Sequence, residues 1–181
     1  MKTFLKTHKT KVTILLLTLL ILNIVVIRIF EAPIKNEVCK GGIVSFELAK
    51  DLSESVKILD SWDVNAKINM SLSLGFDFLF ILVYSSFIAL LIFNVNIKLW
   101  ENKAFYIFGK LLIALIFMAA LFDIIENIAL IKLLLGNLQQ TWSSIAYYFA
   151  SAKFIIILIC ITYLLINWVL LLFNTKNKEA K

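Results

Sequence analysis

The sequence predicts an all-α, four-helix transmembrane bundle with an amphipathic helix in its first outer loop, on three observations. Apolar residues make up 61% of the 181 positions and charged ones only 17%, whereas a soluble domain carries about a quarter charged residues. Mean hydropathy is +0.93. Four separate apolar stretches approach the roughly 20 residues that a helix needs to cross a hydrocarbon layer of about 30 Å. One Pro and five Gly leave no room for a linker-rich chain, so residues 1–181 are read as a single membrane domain.

The first span is placed at about 12–30. Lys2, Lys6, Lys9 and Lys11 precede it, as they would a secretory signal, but the exit through Val26-Ile27-Arg28-Ile29-Phe30 offers no small residues for cleavage. An uncleaved anchor is expected. The second span, about 76–97, is uncharged from Phe78 to Ile97. The third, about 108–135, is interrupted by Asp123, Glu126 and Lys132. The fourth, about 145–173, is free of charge from Phe154 to Phe173.

Direction follows from the basic residues on the short flanking segments. With the N-terminus inside, Lys2, Lys6, Lys9, Lys11, Lys98, Lys103, Lys110, Lys176, Lys178 and Lys181 share one side with only Glu101 and Glu179. Both termini are therefore expected in the cytoplasm and loop 31–71 outside, with a bacterial cytoplasmic (inner) membrane as the location. The basic pI of about 9.3 is a topology signal. Nucleic acid is not expected as a partner, because the lysines form short juxtamembrane clusters suited to anionic lipid of the bilayer.

Within the outer loop, Leu48, Leu52, Val56, Leu59 and Trp62 recur at spacings of three and four, with Glu47, Lys50, Asp51, Glu54, Lys57 and Asp60 on the other face. This pattern predicts an amphipathic helix, either lying as a lid along the membrane surface or simply packed on the bundle. Gly41-Gly42 is the expected break before it. Asp51 followed by Glu54 offers an alternative start for a second, shorter helix.

The third span carries the candidate site. Asp123, Glu126 and Asn127 stand at i, i+3 and i+4, and so share one helix face. Counting about 1.5 Å per residue from Lys110 puts Asp123 about 20 Å and Glu126 about 24 Å into the layer. Ala119 and Ala120 flank that face one turn deeper, where a neighbouring backbone can approach. Asp77 and Lys153 fall at the same outer level on the second and fourth spans. Acidic groups at membrane depth need a partner, a proton or water. A ligand-binding pocket is expected from Asp77, Asp123, Glu126, Asn127 and Lys153, roofed by the loop through Glu47. The alternative is a buried Asp123–Lys153 pair that only fixes helix register, with Asn127 bonding a backbone carbonyl.

Several chemistries fall away for want of components. The one histidine, His8, lies in the tail preceding the first span, which leaves no His-based metal, haem or triad site at membrane depth. Cys39 and Cys160 form no C-x-x-C pair. Cys39 reads as a lone thiol, with pairing between two chains as the alternative, and Cys160 as core. No phosphate-binding glycine loop is present, and Ser85-Ser86 lacks a base and reads as packing hydroxyls. No cofactor is expected. An inward N-terminus with a long first outer loop is similar in layout to claudin-like proteins, but Trp62 and Cys39 are in the wrong order and number for a claudin first loop. No family is assigned.

The expected function is therefore a non-enzymatic membrane protein that binds a small cation, an amine-bearing amphiphile or the helix of a membrane-protein partner through an acidic, outward-facing pocket. The alternatives are a membrane-interface enzyme that uses Asp123 or Glu126 as general base or as ligand to a hard metal, and a non-catalytic scaffold.

Overall fold

In a computed structural model, the backbone is described for residues 2–179 and side chains for residues 9–173. The described chain is all helical: α1 (Lys2–Glu31), a 3-10 turn (Ala32–Ile34), α2 (Ile43–Glu47), α3 (Leu52–Asp60), α4 (Val64–Trp100), α5 (Tyr106–Leu134) and α6 (Gln140–Glu179). Four of these helices are long and apolar enough to cross a membrane.

α4, α5 and α6 pack on one another, whereas α1 lies along α4 and has no comparable contact with α5 or α6. The sequence of α1 explains its position. Its apolar side chains run around the whole helix, and Ile14, Leu15, Ile21, Leu22, Val25 and Ile29 are all exposed, as suits a helix with lipid on most sides.

The helices outrun the apolar stretches within them. α4 has 37 residues, about 55 Å at 1.5 Å per residue, while its uncharged part is only Phe78–Ile97. It starts at Val64, earlier than the span boundary near 76, because the Asp63 carboxylate accepts the Ala66 amide at 2.7 Å and caps the helix there. Residues 64–71, placed in the loop by hydropathy, are thus part of a long helix.

Two apolar cores result. One joins the 3-10 turn, α2 and α3 to the near ends of α4, α5 and α6, through Ile34, Phe46, Trp62, Met70, Leu74, Leu130, Leu133 and Ala146. The other lies toward the α4–α5 connection and contains Ile81, Ile92, Leu112, Ile116, Ala119 and Cys160. Between them runs a polar layer with Asp77 on α4, Asp123, Glu126 and Asn127 on α5, and Lys153 on α6.

The outer loop folds as a cap of two short helices rather than one. The chain breaks between Glu47 and Leu52, so the expected continuous face is split. Leu48, expected inside, is 40% exposed, while Glu47, assigned to the polar face, is buried. The Gly41-Gly42 break is where expected, with Gly42 at φ 64, a left-handed geometry that suits glycine. Asp51 flanks α3 but makes no side-chain cap bond. Instead the Leu52 amide donates to Gln140 Oε1 at 2.8 Å, and Gln140 Nε2 donates to the Lys50 carbonyl at 3.1 Å. The cap is anchored further by the buried Ser55–Ser143 hydroxyl pair at 2.9 Å and by Trp62 Nε1 donating to the Ile34 carbonyl at 2.8 Å. It rests on the ends of α5 and α6, as expected of a segment too short for a core of its own.

At the opposite end, α4 and α5 approach closely at Gly109. A Cβ there would stand 2.3 Å from Asn96 Cγ, and the Asn96 side chain is fixed by donating to the Tyr106 carbonyl at 2.9 Å. Gly109→Ala is expected to destabilise the protein by about 1–3 kcal/mol in detergent-solubilised unfolding. Gly75→Ala, where nothing lies within 4 Å of the added carbon, should be neutral or stabilise by up to about 1 kcal/mol.

Candidate functional site

Lys153 Nζ is the centre of the polar layer. It donates to Asp123 Oδ1 at 2.6 Å, lies 2.7 Å from Glu126 Oε2 and stands 3.6 Å from Glu47 Oε1. These carboxylates come from α5 and α2, and all four residues are nearly sealed from solvent: Glu126 is 0%, Asp123 3%, Lys153 4% and Glu47 5% exposed. Phe154 places its ring under the ammonium, 5.0 Å from centroid to Nζ, a favourable cation–π position.

The helical spacing explains the convergence. Asp123, Glu126 and Asn127 occupy one face of α5, and the register of α6 brings Lys153 opposite the first two. Tyr84 on α4 donates to Asp123 Oδ2 at 2.9 Å, so each Asp123 oxygen has its own donor. Sequence reasoning left Tyr84 among the interface and core aromatics. Only the pairing of α4 with α5 reveals its role, because 39 positions separate the two residues.

Asn127 does not make the backbone-carbonyl bond of the alternative reading. Its Nδ2 donates to Asp77 Oδ2 at 2.6 Å. Asp77 is otherwise unlike the other acids: among the described residues it forms no ion pair. The buried carboxyl oxygens Glu126 Oε1 and Oε2 and Glu47 Oε2, together with Asn127 Oδ1, receive no hydrogen bond. Glu126 Oε2 is at ion-pair distance from Lys153 but lacks hydrogen-bond alignment.

A cavity of about 370 Å³ adjoins this layer. Its polar end is formed by Arg28, Glu31, Glu47, Asp77, Asp123 and Lys153. From there it extends along apolar walls of Leu20, Ile24 and Ile27 on α1, Phe80 and Ile88 on α4, and Phe154 and Ile157 on α6. Glu126 and Asn127 do not line it; they stand behind, against Lys153 and Asp77. The cap covers the polar end through Ile43, Val44 and Glu47. The cavity is thus bordered by α1, the cap, α4, α5 and α6, and α1 and α6 make few contacts with each other.

Arg28 at the polar end is engaged by Glu31, Nη1 to Oε2 at 3.1 Å, and Lys35 approaches the same Glu31 oxygen at 3.7 Å. Among the described residues, no three His, Cys, Asp or Glu are arranged to hold a metal ion. The Lys153 ammonium stands where the carboxylates of α2 and α5 would place a cation. Ser85 donates to the Ile81 carbonyl of its own helix at 2.7 Å. Cys39 and Cys160 are both free and buried, and burial raises the Cys39 thiol above its ordinary pKa, which disfavours the reactive thiolate. The burial also removes Cys39 from reach of a second chain.

No family model, curated protein or solved structure matches the chain. Its chemistry is therefore read from the cluster and the cavity alone.

Removing the central cation isolates three buried carboxyls. Lys153→Met is expected to cost about 3–5 kcal/mol in denaturant unfolding, or to prevent folding. Exchanging the pair, Lys153→Asp with Asp123→Lys, should recover part of what either single change loses. Tyr84→Phe, which withdraws a hydrogen bond from an ionised acceptor, is expected to cost about 1.5–3 kcal/mol.

Proposed function

We propose that the protein is an integral membrane protein whose four long helices span a bacterial cytoplasmic membrane, with both termini in the cytoplasm and the cap of α2 and α3 outside. Support comes from the lysine-rich segments at 98–110 and at the two termini, and from the alignment of the uncharged stretches. Phe78–Ile97 and Phe154–Phe173 each cover about 30 Å, which puts Asp77 and Lys153 together at the outer boundary of the hydrocarbon. The two termini and the α4–α5 connection then lie on one side, and the cap on the other.

In this frame the cavity has the polarity of a lipid. Its charged end sits at headgroup level, and its apolar walls descend into the outer leaflet, about 16 Å along α4 from Asp77 to Ile88. We infer that it binds an amphiphile bearing a cationic amine, with the ammonium at Asp77 and the chain between α1 and α6. Asp77 carries this reading, as a carboxylate bordering an apolar cavity without a cation of its own. Asp123 and Glu126 already have Lys153, so they shape the site and add negative potential rather than supply the free charge. The enzymatic alternative has less support, since the donors that would hold a metal are taken by Lys153.

Dodecylamine tests the binding mode by thermal unfolding in a mild non-ionic detergent, with dodecanol and dodecanoate as comparators. A ligand of the native state raises the midpoint by mass action. The expected result is a rise for the amine alone, abolished by Asp77→Asn; equal effects of all three amphiphiles would refute the reading.

The orientation is tested separately with a membrane-impermeant thiol reagent on intact cells. Cysteine placed at exposed Lys40 should be labelled directly, and cysteine at exposed Lys103 only after permeabilisation. The native thiols, both buried, should stay silent.

A further inference from the structure

Lys153 alone does not satisfy Glu47 and Glu126. Each carboxyl approaches the same Nζ, at 3.6 Å and 2.7 Å. Both are buried, and neither Glu126 oxygen nor Glu47 Oε2 has a donor. Two carboxylates offer only acceptors, so these buried oxygens without a donor call for a hydrogen.

The surrounding charges do not remove this need. Lys153 from α6 is the one cation facing the pair; its aligned hydrogen bond goes to Asp123, and its single charge is shared among three carboxyls. From α4 come Asp77, engaged by Asn127, and Tyr84, whose hydroxyl is directed to Asp123. Arg28, at the same polar end of the cavity, and Lys35 are both engaged by Glu31. Fully ionised, Glu47, Asp123 and Glu126 against Lys153 would leave two uncompensated negative charges in a closed, water-poor site, a large cost.

We propose that Glu47 and Glu126 form a proton-binding site, one proton being shared between a carboxyl of the cap and a carboxyl of α5. The proton supplies the missing donor and joins α2 to the bundle through an acid–acid hydrogen bond. Burial raises the Glu47 carboxyl above its ordinary range, the direction that favours its protonated form. Building on the amphiphile reading, arrival of an ammonium at Asp77 adds positive charge beside the same cluster and favours release of that proton. Amine binding and proton binding then oppose each other, and by linkage loss of the proton strengthens amine binding by the same factor.

Infrared spectroscopy of the purified full chain, titrated in pH, detects the proton without reference to any ligand. The expected result is a protonated-carboxyl C=O band at neutral pH that disappears as pH rises. It should be missing in both Glu126→Gln and Glu47→Gln and retained in Asp77→Asn. No such band in the native protein, as for an ionised pair bridged by water, or a band that survives both glutamine variants, overturns the proposal. If one variant fails to fold, the other and the native titration still decide it.

Calorimetry with dodecylamine in buffers of different ionisation enthalpy tests the coupling. Release of up to about one proton per amine is expected, abolished by Glu126→Gln. Binding with a buffer-independent enthalpy overturns the coupling. Absence of binding refutes the amphiphile reading instead, and the infrared band alone then decides the proton site.

Discussion

One ammonium organises the polar middle of this protein. Lys153 lies among three carboxylates from two other elements, and none of the four can be removed without exposing the rest to a medium that solvates charge poorly. The arrangement fixes the rotation of α5 against α6, because Asp123 and Glu126 must both face Lys153. It also fixes the height of α2, because Glu47 must reach down past the apolar contacts of Phe46 to the same nitrogen. An apolar interface of Leu and Ile could slide by a turn at small cost; a layer of matched charges cannot.

The polar layer also divides the packing. Above it, the cap and the protruding ends of α4, α5 and α6 share an apolar core resembling that of a small water-soluble helical domain, with a tryptophan hydrogen-bonded to backbone and a buried serine pair. Below it, the second core holds the small residues Ala89, Ala119 and Ala120 beside larger Ile and Leu, which suits helices that associate by close approach rather than by expulsion of water. The two regions meet at the acids and Lys153. The cavity borders this level, with side chains of α1, α4 and α6 forming its apolar walls.

Much of the arrangement was readable from residue pattern, and the failures have physical causes. The i, i+3, i+4 spacing of Asp123, Glu126 and Asn127 fixes a shared helix face from sequence alone, and the absence of other charge from the apolar part of α6 singles out Lys153 as their counter-ion. Tyr84 escaped because a phenol at an apolar position carries no pattern that distinguishes a hydrogen-bond donor from a core ring. Asn127 turned to Asp77 because the partner depends on the lateral register of α4, which local spacing does not encode. One helix and two were both open readings of the cap, because the apolar repeat runs from Leu48 to Leu52 across the break, where Gln140 bonds the Leu52 amide and the Lys50 carbonyl. Hydropathy found the apolar parts of the long helices but not their true ends, since it measures solvent preference and α4 continues well beyond its apolar stretch.

The position of Lys153 on the last long helix has a consequence for biogenesis. Translation proceeds from the N-terminus, so Glu47, Asp123 and Glu126 are all synthesised before the residue that neutralises them. Until the ribosome has supplied α6, those three acids lack the base that pairs with them, and the cap lacks its Ser143 and Gln140 anchors. Closure of the polar layer is thereby deferred until α6 is made, and a product truncated before that helix would carry the acids unmatched.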